Sequence, residues 1–148
     1  YRPKRSLPPT RWRERIEPCG KKLKDVKLTK LDFEEVINHP AKFGSVLMYI
    51  DPPYYSVNQE SHYVHPFKEM DHVRLSRALE KTKHKFFLTY DDCKEVRDMY
   101  DWANIHPVEF YYRLDNSQLN NGKRKFGSEL VICNYEISKD SELITGFD

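Results

Sequence analysis

The tetrapeptide Asp51-Pro52-Pro53-Tyr54 places chemically useful groups directly after an apolar run at residues 46–50. A strand cannot continue through two prolines, because proline has a fixed φ and lacks an N–H donor. The chain should therefore leave its sheet at Asp51, at the carboxyl end of a strand, where open α/β sheets bind ligands. There the Asp51 carboxylate and the Pro52 carbonyl could accept hydrogen bonds from an amino group, and the Tyr54 ring could stack on a planar heterocycle. The alternative interpretation is that the tetrapeptide merely ends a strand and packs a loop.

Five short runs of apolar or alternating residues predict strands around this tetrapeptide. The alternation at 26–31 fits a half-exposed strand, and the continuous apolar run at 46–50 fits a strand buried on both faces. The remaining runs are 86–89, 105–112 and 129–137. Strands and helices alternate until the last two strands, so we predict an α/β fold with a mostly parallel sheet and a C-terminal antiparallel hairpin.

Apolar residues at helical spacing predict the intervening helices. A short helix should end near Pro40. Asp71 is the expected N-cap of a helix that runs to about Lys81, and Asp91 or Asp92 is the expected N-cap of another. The apolar residues expected on the last two helices are Val73, Leu75, Ala78, Leu79, Val96, Met99 and Tyr100.

Charge and proline content divide the chain into three predicted regions. The first sixteen residues carry six basic side chains against a single acid, so we predict that residues 1–20 form a basic arm. A short helix in this arm should begin after Thr10 and end at Pro18 and Gly20. Residues 21–137 form the folded domain, and 138–148 form an acidic tail. The net charge of the whole chain is only +2. A nucleic acid would therefore contact local basic patches and not a uniformly basic surface.

The cysteine content and the hydropathy exclude several classes of protein. Cys19, Cys93 and Cys133 are odd in number and lack metal-like spacing, which argues against a disulfide framework and suits a reducing cytosol. Cys93 and Cys133 are expected to be small buried hydrophobes. No apolar run approaches the roughly 18 residues of a membrane span. We therefore predict a cytoplasmic protein with no membrane partner.

Together these segments resemble the Dam-like, or D12 class, adenine-specific DNA methyltransferases. The resemblance covers most of the chain, and its ordered segments are residues 7–15, 31–37, 46–54, 88–92 and 116–130. It implies that the chain is part of a Rossmann-like methyltransferase fold, in a bacterial or phage context. It also implies S-adenosylmethionine as the cofactor and double-stranded DNA as the partner. The catalytic residues that it implies are Asp51, Pro52, Pro53 and Tyr54.

Methylation of adenine at N6 explains why these residue types are needed. The nitrogen lone pair is delocalised into the purine ring, so the amine is a poor nucleophile. Acceptors at Asp51 and Pro52 would bind the amino hydrogens and let the nitrogen pyramidalise toward the methyl donor. Tyr54 would stack on the flipped base, which is worth ~1–3 kcal/mol. This chemistry depends on electrostatic stabilisation and needs neither a metal nor a covalent intermediate.

The resemblance also implies cofactor-binding and DNA-binding residues. Asp32 would accept a hydrogen bond from the adenine amino group of S-adenosylmethionine, and the Phe33 backbone would lie beside the adenine ring. Asp51 would contact the cofactor as well as the target base. The residues expected to bind nucleic acid are Tyr55, Tyr63, Asn120, Lys123, Arg124 and Lys125.

One feature of the family is missing from this sequence. The family carries a Phe-x-Gly-x-Gly loop near its N-terminus that wraps the methionine part of the cofactor, but the five glycines here are too far apart to form it. Residues 1–20 are therefore expected to correspond to the end of a target-recognition region, and 21–137 to the C-terminal half of the catalytic domain. The isolated chain should be inactive, or should depend on the missing N-terminal half or a second copy.

Two alternative functions remain at this stage. The first is a non-catalytic nucleic-acid-binding or assembly module derived from the same fold, which the missing glycine loop favours. The second is N4-cytosine DNA methylation, which uses similar chemistry. Ser-Pro-Pro-Tyr is the usual loop of N4-cytosine enzymes, so Asp51 favours adenine.

Overall fold

The protein is represented by a computed structural model that describes residues 7–56, 66–111 and 126–137. The chain divides into two compact units, Tyr1–Leu31 and Asp32–Asp148. No helix among the described residues has both the length and the apolar character that a bilayer crossing requires.

The first unit consists of a 3₁₀ turn, Pro9–Arg11, and helix α1, Trp12–Lys22, followed by residues without regular structure. A helix is found where it was predicted, after Thr10, but its N-cap is Arg11 and not Thr10. The predicted end at Pro18 and Gly20 is wrong, because the helix continues past both to Lys22. The prediction of a strand at 26–31 is also wrong. No described strand pairs with residues 26–31, and a strand needs a partner for its backbone hydrogen bonds.

The second unit contains a four-stranded sheet in the order β1-β2-β4-β3. Its strands are β1 Leu47–Ile50, β2 Lys85–Asp91, β3 Asn104–Tyr111 and β4 Phe126–Cys133. Only the β1–β2 pair is parallel, so the prediction of a mostly parallel sheet is wrong for the described strands. The predicted antiparallel pairing of the last two strands is confirmed. The sheet is mostly antiparallel because β4 inserts between β2 and β3 and forms antiparallel backbone hydrogen bonds with both.

Three short or medium helices accompany this sheet: α2 Phe33–Ile37, α3 Glu69–Lys81 and α4 Lys94–Met99. Asp71 lies inside α3, where its carboxylate accepts the Lys68 N–H at 3.0 Å, and Cys93 is the N-cap of α4. The predictions that Asp71, and Asp91 or Asp92, are N-caps are therefore wrong. These aspartates have other partners, as described below.

The core lies between α3, α4 and one face of the sheet. The buried residues predicted on the helices are largely confirmed, since Leu75, Ala78, Leu79, Val96 and Tyr100 are at most 9% exposed. Val73 and Met99 are half-buried. Cys133 is buried as expected, whereas Cys93 is half-buried.

Strand β1 is buried on one side only. Met48 and Ile50 pack against the core, whereas Leu47 and Tyr49 are 62% and 69% exposed. The prediction of burial on both faces is therefore wrong for the described residues, because none of them covers the second face of β1. Tyr49 stacks on Phe87 of β2 with 5.8 Å between ring centroids.

Candidate active site

The tetrapeptide lies at the carboxyl end of β1, as its prolines predicted. Strand β1 ends at Ile50, and residues 51–54 have no regular structure. Asp51 is exposed, and the other three residues are half-buried. The parallel register pairs Ile50 with Leu88, which brings the next residues, Asp51 and Thr89, side by side.

Thr89 orients the Asp51 carboxylate. Its hydroxyl donates to Asp51 Oδ1 at 3.0 Å and lies 3.4 Å from the Ile50 carbonyl oxygen. No described residue bonds Asp51 Oδ2, so this exposed oxygen can accept a hydrogen bond from a substrate amine. Sequence reasoning did not single out Thr89, although its place near the end of the neighbouring strand was a usable signal.

Asp91, the last residue of β2, holds the chain just after the tetrapeptide. Its Oδ1 accepts the Tyr55 N–H at 2.8 Å, and its Oδ2 accepts the Ser56 N–H at 2.9 Å. The Ser56 hydroxyl also donates to Oδ2. Asp91 is 9% exposed, so these three bonds satisfy a carboxylate that is largely removed from water.

His72 forms the buried centre of an aromatic cluster beside this segment. Tyr55 and Phe67 both contact its ring in edge-on geometry, at centroid distances of 5.0 and 4.7 Å. Its Nδ1 shares a hydrogen bond with the Tyr90 hydroxyl. Burial lowers the pKa of His72, and the nearby negative charge of Asp91 raises it in part. Burial also raises the pKa of the Tyr90 hydroxyl, so both groups are neutral at physiological pH.

Sequence reasoning missed His72 as a core residue. Helical spacing could have found it, because His72 lies three and seven residues before Leu75 and Leu79, on the buried stripe of α3. A histidine on such a stripe can be buried when its polar nitrogen has a partner, as Tyr90 provides here.

Arg74 is the centre of a charged cluster around the predicted cofactor residues. Its guanidinium contacts Asp32 at 3.1 Å, Glu34 at 3.2 Å and Asp71 at 3.0 Å. Its Cζ also lies 4.8 Å from the centre of the Phe33 ring. Hydrogen bonds to Glu34 and then Asp32 raise the pKa of Arg74, so it is always charged.

Asp32 has a second structural role as the N-cap of α2. Its Oδ1 accepts the Glu34 N–H at 2.9 Å, and this bond, together with Arg74, lowers the pKa of the Asp32 carboxyl. Asp32 is nevertheless exposed, and within the described residues only Arg74 bonds its Oδ2, at 3.2 Å. A carboxylate oxygen has two lone pairs, so Oδ2 keeps capacity for one more donor.

A row of ring contacts connects the predicted cofactor residues with the tetrapeptide. Phe33 contacts Phe67 at 5.6 Å, Phe67 contacts His72 at 4.7 Å, and His72 contacts Tyr55 at 5.0 Å. The sequence alone gave no signal for this row, because its members come from separate segments.

The other predicted DNA-binding residues lie outside the described residues: Tyr63, Asn120, Lys123, Arg124 and Lys125. Tyr55 is the one that the structure describes, and it follows the tetrapeptide directly. Within the described ranges, no group of three or more His, Cys, Asp or Glu side chains is arranged to hold a metal ion.

Comparison with known proteins identifies the family. No curated protein gives a significant match to the chain. The model of the D12 class N6 adenine-specific DNA methyltransferases matches residues 4–114, a stretch that includes the tetrapeptide and the Asp32-Phe33 pair. Because the match spans well over half of the sequence, the chain belongs to the D12 class N6 adenine-specific DNA methyltransferase family.

Proposed function

We propose that this chain supplies the amine-binding side of an S-adenosylmethionine-dependent adenine-N6 DNA methyltransferase. The observation that carries the proposal is the exposed Asp51 carboxylate at the end of β1, with Oδ1 bonded to Thr89 and Oδ2 bonded by none of the described residues. Membership of the D12 class supports the methyltransferase part of the proposal. The family and the Asp51 side chain support adenine as the proposed substrate, and the family supports double-stranded DNA as the proposed partner.

Asp51 and Pro52 would prepare the target nitrogen for attack. The N6 hydrogens donate to Asp51 Oδ2 and to the Pro52 carbonyl, which draws the lone pair out of conjugation with the ring. This lone pair would then be free to bond to the methyl group that bound S-adenosylmethionine would supply, and the sulfur would keep the electron pair of the C–S bond that breaks. The methylated nitrogen finally loses one proton to solvent. The nearby carboxylate stabilises the positive charge that develops on nitrogen before this loss.

Tyr54 and Tyr55 are the proposed base-binding aromatics. Tyr54 is half-buried and lies three residues after Asp51, which suits a ring that covers one face of a flipped adenine. Tyr55 packs on His72, so its ring is supported from the protein side. Alanine at position 54 should cost ~1–3 kcal/mol of base binding, the usual value for one stacked base.

Asp32, Phe33 and Asp51 are the proposed cofactor residues. Asp32 Oδ2 has acceptor capacity for an adenine amino group, and the half-buried Phe33 ring lies beside it with Arg74 on one face. When bound, S-adenosylmethionine supplies the electrophilic methyl group. Arg74 and the Glu34 N–H keep the Asp32 carboxylate ionised and oriented for that contact.

Substitution of Asp51 tests the proposal. In a complete enzyme that contains this chain, Asp51→Ala should lower methyl transfer to adenine by about 100-fold or more, since a preorganised electrostatic contact is lost. DNA binding should remain close to wild type in a gel-shift assay. Asp98→Ala is the matched control, because Asp98 is an exposed aspartate of α4 paired with Lys94. Near-normal turnover of Asp51→Ala would contradict the assignment.

A non-catalytic module for nucleic-acid binding or assembly is the second candidate. The wide glycine spacing and the exposed face of β1 favour it for the isolated chain. We expect purified residues 1–148 to transfer no methyl groups by themselves, and methylated adenine in that assay would refute this expectation. Calorimetry with S-adenosylmethionine separates the candidates, because binding by a complete enzyme supports the first and its absence supports the second.

A further inference from the structure

We propose that Asp91 is a positioning residue that fixes the segment after the tetrapeptide and so sets the place of the Tyr54 and Tyr55 rings against the target base. This inference rests on the proposed methyl transfer and assigns it a further residue. Asp91 is 35 and 36 residues from the two backbone N–H groups that it binds, at 2.9 and 2.8 Å. Its carboxylate therefore joins the end of β2 to the start of the following loop.

The environment of Asp91 indicates that the bonds to this loop are its main role. The side chain is 9% exposed, and no cationic side chain among the described residues pairs with it. A buried carboxylate without a counter-ion is unfavourable unless donors satisfy it. Within the described part of the chain, the donors to this carboxylate all belong to Tyr55 and Ser56. The charge is thus stabilised only while the loop keeps this conformation.

Thr89 and Asp91 act on opposite ends of the tetrapeptide. Both residues lie at the carboxyl end of β2. Thr89 bonds Asp51, the first residue of the tetrapeptide, and Asp91 bonds the two residues that follow Tyr54. Four residues that lack regular structure are therefore held at both ends by one strand. Such anchoring matters for catalysis, because a displacement of about 1 Å can cost on the order of 100-fold in rate.

Asp91→Asn tests this role in a complete enzyme that contains the chain. The amide keeps one acceptor oxygen and places an NH₂ group against a backbone N–H, so one end of the anchor is lost. We expect kcat to fall by ~10–100-fold, while the Kd for S-adenosylmethionine stays within about twofold, since the cofactor residues are untouched. Fluorescence of 2-aminopurine at the target position should report a less fixed flipped base.

Asp92→Asn is the matched control, because Asp92 is the adjacent aspartate and bonds Arg97 and Ser128 instead of the loop. Its kcat should remain close to wild type. Ser56→Ala is a milder second variant that removes only the hydroxyl donor to Asp91. It should lower kcat several-fold, and it provides the test if Asp91→Asn does not fold. Wild-type kcat in a folded Asp91→Asn protein, or in Ser56→Ala if the former does not fold, would overturn the proposal.

The same assays separate this inference from the proposed function. If the wild-type enzyme methylates adenine and Asp51→Ala does not, a normal Asp91→Asn enzyme overturns only the positioning role. If Asp51→Ala retains turnover, the proposed function fails. Equal losses of kcat and cofactor affinity in Asp91→Asn would indicate a general role in folding and would also overturn the positioning role.

Discussion

Thr89 of β2 donates its hydroxyl hydrogen to Asp51 Oδ1 at 3.0 Å, across the carboxyl ends of two parallel strands. The bond follows from the register, since Ile50 pairs with Leu88 and each strand places its next residue at the same edge. It fixes the rotation of an otherwise exposed carboxylate. The catalytic geometry of the tetrapeptide therefore depends on a residue that is 38 positions away in the sequence.

Thr89→Val should lower methyl transfer by about tenfold in a complete enzyme that contains this chain. Valine keeps the shape of threonine but cannot donate, and a hydrogen bond worth about 1.4 kcal/mol in the transition state corresponds to tenfold in rate. Thr89→Ser retains the hydroxyl and should keep most of the activity. Single-turnover methylation of an adenine-containing duplex measures both. Equal rates for the valine and serine variants would show that the bond has no catalytic role.

Tyr90→Phe should destabilise the fold and Tyr100→Phe should not, although both rings are fully buried. The Tyr90 hydroxyl bonds His72, so its removal leaves a buried nitrogen without a partner and should cost about 1–3 kcal/mol. The Tyr100 hydroxyl has no partner among the described residues. Its removal should be neutral or stabilising. Urea denaturation of the purified chain measures both changes. A Tyr100→Phe variant that loses as much stability as Tyr90→Phe would show that the bond between Tyr90 and His72 is not the cause of the loss.

The local parts of the site could be predicted from the sequence. Two consecutive prolines end β1 wherever the strand lies, so the place of Asp51 followed from residue types alone. The buried faces of α3 and α4 followed equally from helical spacing, as Leu75, Leu79 and Val96 confirm. These features depend on the backbone within a few residues, and sequence patterns encode them directly.

The long-range parts could not be predicted in this way. The insertion of β4 between β2 and β3 depends on which open edges are available, and alternation within a strand does not encode that choice. Local rules assigned Asp71 and the Asp91-Asp92 pair to helix caps. In the fold Asp91 binds the Tyr55-Ser56 backbone, 36 and 35 residues away, which is a tertiary contact that a short sequence window cannot show. Asp71 and Asp92 instead bind the nearby Arg74 and Arg97, three and five residues on.

Stability should fall below about pH 6.5 because of His72. Burial holds the pKa of His72 in the folded chain below the usual histidine value of about 6.5, so the unfolded chain binds a proton that the folded chain excludes. The free energy of unfolding is therefore highest above pH 6.5 and decreases until the pH reaches the folded pKa. Urea denaturation between pH 5 and 8 measures this slope. His72→Asn should flatten it. An unaltered slope in His72→Asn would exclude His72 as its source.

Arg74→Met should weaken the binding of S-adenosylmethionine by a complete enzyme more than it weakens DNA binding. The guanidinium neutralises Asp32 and lies over the Phe33 ring, so its loss frees both predicted cofactor residues to move and leaves a cluster of carboxylates that repel one another. Arg74→Lys should restore only part of the affinity, because an ammonium cannot form the planar fork that contacts several carboxylates. Arg77→Met is the matched control, since Arg77 is exposed on the same helix. Calorimetry measures the affinities, and equal cofactor binding by the Arg74→Met and Arg77→Met enzymes would contradict a role for Arg74 in the cofactor site.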